Sequence, residues 1–170
     1  LFLDCRNRIR SMSLVHEMLY QSDNLAKINS KDYIKNLLDG ILNAYKEYSD
    51  YINIDASLDE VSLRPDSAIP LGLIINELVV NSIKHAFPQD RINKEKRGEI
   101  RIEFRSIGQE MVALIVKDNG VGLPEDLDID KSESIGLKLV NLLAKQMEGK
   151  IQILKKEGTE FRIEFKDRDL

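Results

Sequence analysis

The apolar positions of the chain recur with two different periods, and the changes of period mark its elements. Over about the first 22 residues Leu3, Ile9, Met12, Val15, His16 and Leu19 return to one side at steps of three and four. Arg6, Arg8, Arg10 and Glu17 point elsewhere, and no glycine or proline interrupts, so the pattern predicts a helix. Residues 24–29 read as a connector, with Ser30 as the expected N-cap of a second helix. That helix carries the stripe Tyr33, Ile34, Leu37, Leu38, Ile41, Leu42 and Tyr45. Gly40 inside it costs about 1 kcal/mol relative to alanine, which implies a close packing partner.

From Tyr51 the period becomes two. Tyr51-Ile52-Asn53-Ile54-Asp55 and Val61-Ser62-Leu63 predict two short strands around a turn at Leu58-Asp59-Glu60. A long helix over residues 66–86 follows, with Leu71, Ile74, Ile75, Leu78, Val79 and Ile83 as a stripe suited to lying on a sheet. Pro65 and Pro70 stand near its start, where proline is tolerated. Residues 89–98 form a charged loop. The alternating segment 99–104 and the nearly continuous apolar run 111–116 predict strands, the second of them central. A loop rich in glycine, proline and acids leads to Ser134, a third sheet-covering helix spans 136–147, and strands at 151–154 and 160–165 close the chain around a turn at Gly158-Thr159. The whole predicts an α/β two-layer sandwich, a mixed sheet covered by three helices on one face. The N-terminal helix is left over. The expected division is residues 1–25 for that helix and 30–167 for the sandwich.

Composition narrows the classes. A chain of 170 residues makes one domain with an appendage. Lys and Arg total 25 against 29 Asp and Glu, a net charge of −4, so no basic surplus suits wholesale binding of nucleic acid. The single cysteine, Cys5, excludes an intrachain disulfide and any multi-cysteine metal site. No run approaches the roughly 18 consecutive apolar residues of a membrane span, so direct membrane contact is not expected. The first residues lack a basic leader and a small-residue cleavage site. Leu1 falls inside a helical pattern, which reads as a piece of something longer. There are two histidines, His16 and His85.

Four short motifs carry candidate chemistry. In Asn76-Glu77-Leu78-Val79-Val80-Asn81-Ser82-Ile83-Lys84-His85-Ala86, Glu77 and Asn81 share a helix face, with Lys84 and His85 one turn further on. This is either a solvated polar face or a site for a hard cation and phosphate. The Asn81 carboxamide oxygen suits Mg²⁺, Lys84 can face phosphate as a point charge, and Glu77 can accept a proton or orient a hydroxyl. In Lys117-Asp118-Asn119-Gly120-Val121-Gly122 an acid ends an apolar strand and sits at a pocket mouth, where it accepts hydrogen bonds from a ligand or caps the loop. Gly120 and Gly122 permit close backbone approach, or merely make the turn. Gly136 and Leu137 open a helix whose N-terminus favours phosphate. Gly158-Thr159 adds a small turn and a hydroxyl. Neither a Walker A loop nor a Gly-x-Gly-x-x-Gly dinucleotide fingerprint occurs.

Taken in order, the four motifs resemble the nucleotide-binding domain of the GHKL superfamily, which holds sensor histidine kinases, gyrase-type ATPases, Hsp90 chaperones and MutL-type repair ATPases. The resemblance runs from about Lys31 to Phe165 and implies a Bergerat-type ATP-binding fold. The Lys84-His85-Ala86 ending of the first motif is similar to sensor histidine kinases in particular, and residues 8–20 resemble the second helix of a histidine kinase dimerisation hairpin. The resemblance implies ATP and Mg²⁺ as cofactors. Glu77 would polarise the nucleophile, Asn81 hold Mg²⁺, and Lys84 and His85 lie near phosphate. Asp118 would bind the adenine amino group, Gly120 and Gly122 line the nucleotide loop, Gly136 and Leu137 begin the helix below the phosphates, and Thr159 sit at the adenine side through its hydroxyl. Residues 125–135 would form a lid over ATP. The implied protein is a cytoplasmic, homodimeric histidine kinase that passes phosphate to a response regulator. A protein-serine kinase of the anti-sigma type and a degenerate nucleotide-sensing module are the alternatives.

His16-Glu17 resembles a phospho-acceptor site, but chain length speaks against that role. After Glu17 only a few helical residues remain before the connector, too few for a second hairpin helix. The expectation is a structural His16, and an acceptor histidine upstream of Leu1 in a His-Arg-x-x-Asn-Asn-like stretch. His85, at the end of its helix, is expected beside phosphate or set favourably against the helix dipole.

Overall fold

The computed structural model describes residues 9, 13, 17, 27–88, 97–108, 110–124, 127–132, 134–155 and 157–167. Cys5, His16, most of the N-terminal helix and the charged loop at 89–96 lie outside them. Ile9, Ser13 and Glu17 are helical, and the Ser13 hydroxyl donates to the Ile9 carbonyl at 3.0 Å, as the pattern of the first segment expects.

A short strand β1 (Ile28–Asn29) leads into α1 (Ser30–Ala44). The cap differs from expectation. Asn29, not Ser30, closes the helix, its side chain accepting from the Asp32 amide at 3.1 Å. Ser30 is instead fully buried, donating to the Asp59 carbonyl at 3.1 Å and accepting from the Val61 amide at 2.9 Å. It pins the start of α1 to a distant loop. The stripe Tyr33, Ile34, Leu37, Leu38 and Ile41 is buried as its spacing requires, with Gly40 among it.

The two strands expected to flank one turn are not partners. β2 (Ile52–Leu58) runs parallel to β4 (Gly98–Gly108), whereas β3 (Ser62–Leu63) pairs antiparallel with β1. Asp59 explains why the chain does not fold back. Its amide donates to the Phe104 carbonyl at 2.8 Å and its carboxylate accepts from the Ser106 amide at 3.0 Å, so the segment after β2 stays beside β4.

The main sheet has the order β2-β4-β5-β7-β6, with β5 at Met111–Asp118, β6 at Lys150–Leu154 and β7 at Thr159–Lys166. Every pairing except β2–β4 is antiparallel. Its inward rows are Ile102–Val116–Phe161 and Phe104–Leu114–Ile163, all buried. The outward face is charged, with cross-strand pairs Arg101–Asp55 at 3.4 Å and Lys117–Glu160 at 3.7 Å. Such alternation is what a sheet with one covered face shows.

The cover is α1, α2 (Pro65–Asn81) and α3 (Ile135–Gln146), with α2 packed against both others. α2 does more than lie on the sheet: every residue from Pro70 to Val80 is buried. The span Pro65–Ala86 has the length and mean hydropathy, 1.2, of a membrane crosser, yet 78% of its apolar window is buried inside the protein. A helix apolar on all sides belongs in a core. Tyr33 of α1 lies on Gly72 of α2, and burial pushes its phenol well above the usual tyrosine range. At its C-terminal end α2 widens into a π turn, Ser82–Ala86, that the sequence periodicity did not foretell.

Candidate functional site

The site begins with the pleat of β5. Val112, Leu114 and Val116 point inward, so the next inward position is Asp118, last in the strand and opposite Thr159 of β7. Asp118 is only 4% exposed. An isolated buried charge is costly, and here three donors hold it. Oδ1 accepts from the Gly120 amide at 3.0 Å and the Thr159 amide at 3.2 Å, and Oδ2 accepts from the Ser82 hydroxyl at 2.9 Å.

Backbone packing makes those contacts possible. Gly158 has φ +88, and a side chain there would collide with the Asp118 carbonyl, so this turn requires glycine. The Val121 amide donates to the Ala86 carbonyl at 2.9 Å, and a methyl on Gly120 would run into that same carbonyl. The loop after β5 is thereby seated on the end of the π turn. Asn119 fixes its other side, its side chain accepting from the Glu99 amide at 2.8 Å.

A cleft of about 240 Å³ opens beside Asp118. Leu78, Ala86, Leu123 and Phe161 give it apolar walls, and Asn81, Ser82, His85, Asp118, Ser134 and Thr159 give it polar ones. Gly122 and Leu137 also line it. The Asp118 network thus shares one cleft with Asn81, the last residue of α2.

Behind Asn81 lies Glu77, only 6% exposed, its Oε1 accepting from the Asn76 amide group at 3.3 Å. Gly136, the second residue of α3, passes directly over this pair. A Cβ there would stand 2.8 Å from Glu77 Oε2 and 3.5 Å from Asn81 Nδ2. A carboxylate, a carboxamide and the N-terminal amides of a helix therefore converge where a side chain is missing. Ser134 caps α3 by accepting from the Leu137 amide at 3.5 Å. Among the described residues no three of His, Cys, Asp and Glu gather. A cation at Asn81 would rely on one or two protein oxygens, a donor set that fits Mg²⁺ with its retained waters.

Of the residues singled out from the sequence, Asn81, His85, Asp118, Gly122, Leu137 and Thr159 line the cleft. Glu77 and Gly136 flank it through Asn81, and Gly120 supports it through Asp118. Lys84 does not line it, its ammonium lying 5.6 Å from the centre of the ring of Tyr45, the C-cap of α1. The polar-face reading of this helix holds for Lys84 and His85, which are exposed, and not for buried Glu77. Thr159 begins β7 rather than sitting in the turn, and it reaches Asp118 through its backbone amide. Ser82 was named in its motif without a role. Its hydroxyl gains one through the π turn, which no sequence periodicity signals.

The loop bordering the cleft is tethered from outside. Lys155 donates to the carbonyls of Pro124 at 2.8 Å and Leu127 at 2.9 Å. Asp130 receives Lys145 at 2.6 Å and Asn141 at 2.9 Å, and these hydrogen bonds hold its carboxyl below the usual range. Residues 125, 126 and 133 of the expected lid lie outside the described residues.

Comparison with known proteins agrees with this geometry. Residues 66–169 match the family described as histidine kinase-, DNA gyrase B-, and HSP90-like ATPase, and residues 1–45 match a histidine kinase family. The chain is 33% identical over 145 residues to the sensor histidine kinase PdtaS of Mycobacterium tuberculosis, covering 85% of this chain and 28% of that protein. Against PdtaS of Mycolicibacterium smegmatis it is 30% identical, covering 80% and 26%. The histidine kinase domain of the Erythrobacter litoralis EL346 blue-light activated histidine kinase superposes with a TM-score of 0.83 at 20% identity, over 96% of this chain and 74% of that one.

Proposed function

Because the chain belongs to the histidine kinase-, DNA gyrase B- and HSP90-like ATPase family, we propose that its cleft is the ATP site of a sensor histidine kinase, with adenine at Asp118 and the phosphates toward Asn81. The observation that carries this reading is the two-ended cleft itself. One end holds a buried carboxylate already satisfied by three donors, and the other brings Asn81, Glu77 and the start of α3 to one place.

At the base end, an ionised carboxylate with a spare lone pair accepts an N–H and rejects a carbonyl, which suits the exocyclic amine of adenine. At the phosphate end, the N-terminal amides and dipole of α3 favour anionic oxygen. Asn81 would hold Mg²⁺, which when bound supplies charge neutralisation to the phosphates. Glu77 is placed to accept a hydrogen bond from the attacking imidazole and orient it. His85 faces the cleft as a further polar wall. Lys84 reaches phosphate only by leaving Tyr45. Phosphoryl transfer needs positioning and charge stabilisation more than covalent chemistry, and this set of groups offers both.

The match of residues 1–45 to a histidine kinase family and the two PdtaS relatives support the wider assignment. The chain spans little more than a quarter of the length of those relatives. Residues 1–25 belong to a dimerisation hairpin and 30–167 to the ATP-binding unit. The parent acts as a cytoplasmic homodimer, takes phosphate onto a histidine outside residues 1–170, and hands it to a response regulator.

The test is incubation with γ-labelled ATP and Mg²⁺, alone and with a helical hairpin bearing an acceptor histidine. Acid-labile label on the hairpin, lost in Glu77→Ala, is expected. Acid-labile label on the chain itself, abolished by His16→Ala, would overturn the position of the acceptor. Acid-stable label would favour the serine kinase alternative.

A further inference from the structure

We infer that Ser82 is a positioning residue that sets base selectivity, by holding the Asp118 carboxylate with one acceptor site turned to the cleft. This deepens the reading of Asp118 as the adenine contact and rests on it. An ionised carboxylate offers about four lone-pair sites, two on each oxygen. Oδ1 uses both on backbone amides, those of Gly120 and Thr159. Oδ2 uses one on the Ser82 hydroxyl. One site remains, on the oxygen that Ser82 grips, and both residues border the cleft.

The hydroxyl does two things that the amides do not. It fixes the rotation of the carboxylate, since two donors on Oδ1 alone leave the plane free to tilt about that oxygen. It also presents its own oxygen to the cleft. A hydroxyl that donates to Asp118 can still accept, so an amino group with two N–H bonds meets two acceptors, one on Asp118 and one on Ser82. A carbonyl at the same place meets two acceptors and no donor. The π turn is the device that delivers this. Ser82 follows Asn81 directly, and the widened turn at Ser82–Ala86 lets both line one cleft while the Ala86 carbonyl receives Val121. Ser82 is 7% exposed, so the bond is shielded from water, where a charge-assisted hydrogen bond counts most.

The experiment is calorimetric titration of the whole chain with ATP and with inosine triphosphate, which carries a 6-oxo group in place of the 6-amino group. Wild type, Ser82→Ala and Ser82→Cys are compared, with circular dichroism melting to confirm that each variant folds. The wild type is expected to prefer ATP. Ser82→Ala weakens ATP about fivefold and leaves inosine triphosphate within a factor of two, so the preference shrinks, as loss of one neutral hydrogen bond to the amino group predicts. Ser82→Cys, a weak donor of similar shape, falls between. Equal weakening of both nucleotides would mean a purely structural role, and unchanged affinity for both no role at all; either overturns the inference. A wild type that binds neither nucleotide overturns the ATP site instead, and leaves the two failures distinct.

Discussion

The Asp118 end of the cleft and the loop that borders it are built by different means. The Asp118 end is assembled from strand, π turn and glycine turn, and its hydrogen bonds from Ser82 and Thr159 are buried while that from Gly120 is part-buried. The loop bordering the cleft is held by half-buried Lys155 and by an exposed ion pair, in which Lys145 and Asp130 are 63% and 62% exposed. Buried bonds to a charge are worth about 1.5–3 kcal/mol each, while exposed ion pairs contribute about 0–1 kcal/mol. The Asp118 end is therefore held more firmly than the loop beside it. In the proposed nucleotide site the base would meet an acceptor already held in place.

The Asp118 end should respond most strongly to substitution. Gly158→Ala forces a side chain into the left-handed region and against the Asp118 carbonyl, where the backbone penalty alone is about 1–2 kcal/mol. Thermal melting should show a loss of roughly 2–8 °C, at 2–4 °C per kcal/mol for a chain of this size. A melting temperature within about 1 °C of wild type would mean that the turn is not under this constraint.

Asn81→Ala comes next. It removes a polar group at the phosphate end without disturbing the core, so melting should barely move. Nucleotide affinity in the presence of Mg²⁺ should fall at least about tenfold, and affinity in its absence should stay nearly constant. If Mg²⁺ strengthens binding to the variant as much as to wild type, Asn81 is not the ligand.

The smallest effect belongs to the tether. Lys145→Ala should shift the melting temperature by no more than about 2 °C near neutral pH. The lowered pKa of Asp130 gives the sign of the pH dependence. A carboxyl whose folded pKa lies below its unfolded value, near 3.9, adds stability above that value and loses it as pH falls through the folded one. Wild type and variant should therefore differ equally from about pH 5 to 8 and converge in more acidic solution. A gap that widens on acidification would contradict the assignment.

Much of this was legible in the residues. The apolar period of 3.6 located all three covering helices, and the run ending at Val116 put Asp118 where the inward row of β5 ends. What escaped has a common cause. That β2 pairs with β4 rather than folding back on β3 depends on Asp59 meeting Ser106, a contact across 47 positions that local pattern does not encode. Asn29 took the cap from Ser30 because Ser30 found buried partners at Asp59 and Val61. The role of Ser82 and the turning of Lys84 toward Tyr45 both follow from the π turn, a local widening that leaves the hydrophobic repeat intact.

The claim that the cleft binds ATP through Asp118 is met most directly by calorimetric titration of the chain with ATP and Mg²⁺, wild type against Asp118→Asn, with Lys145→Ala as the control. Saturable one-to-one binding is expected, weakened about 10–100-fold in Asp118→Asn and nearly unchanged in Lys145→Ala. Equal affinities for wild type and Asp118→Asn, or no binding by either, would contradict it.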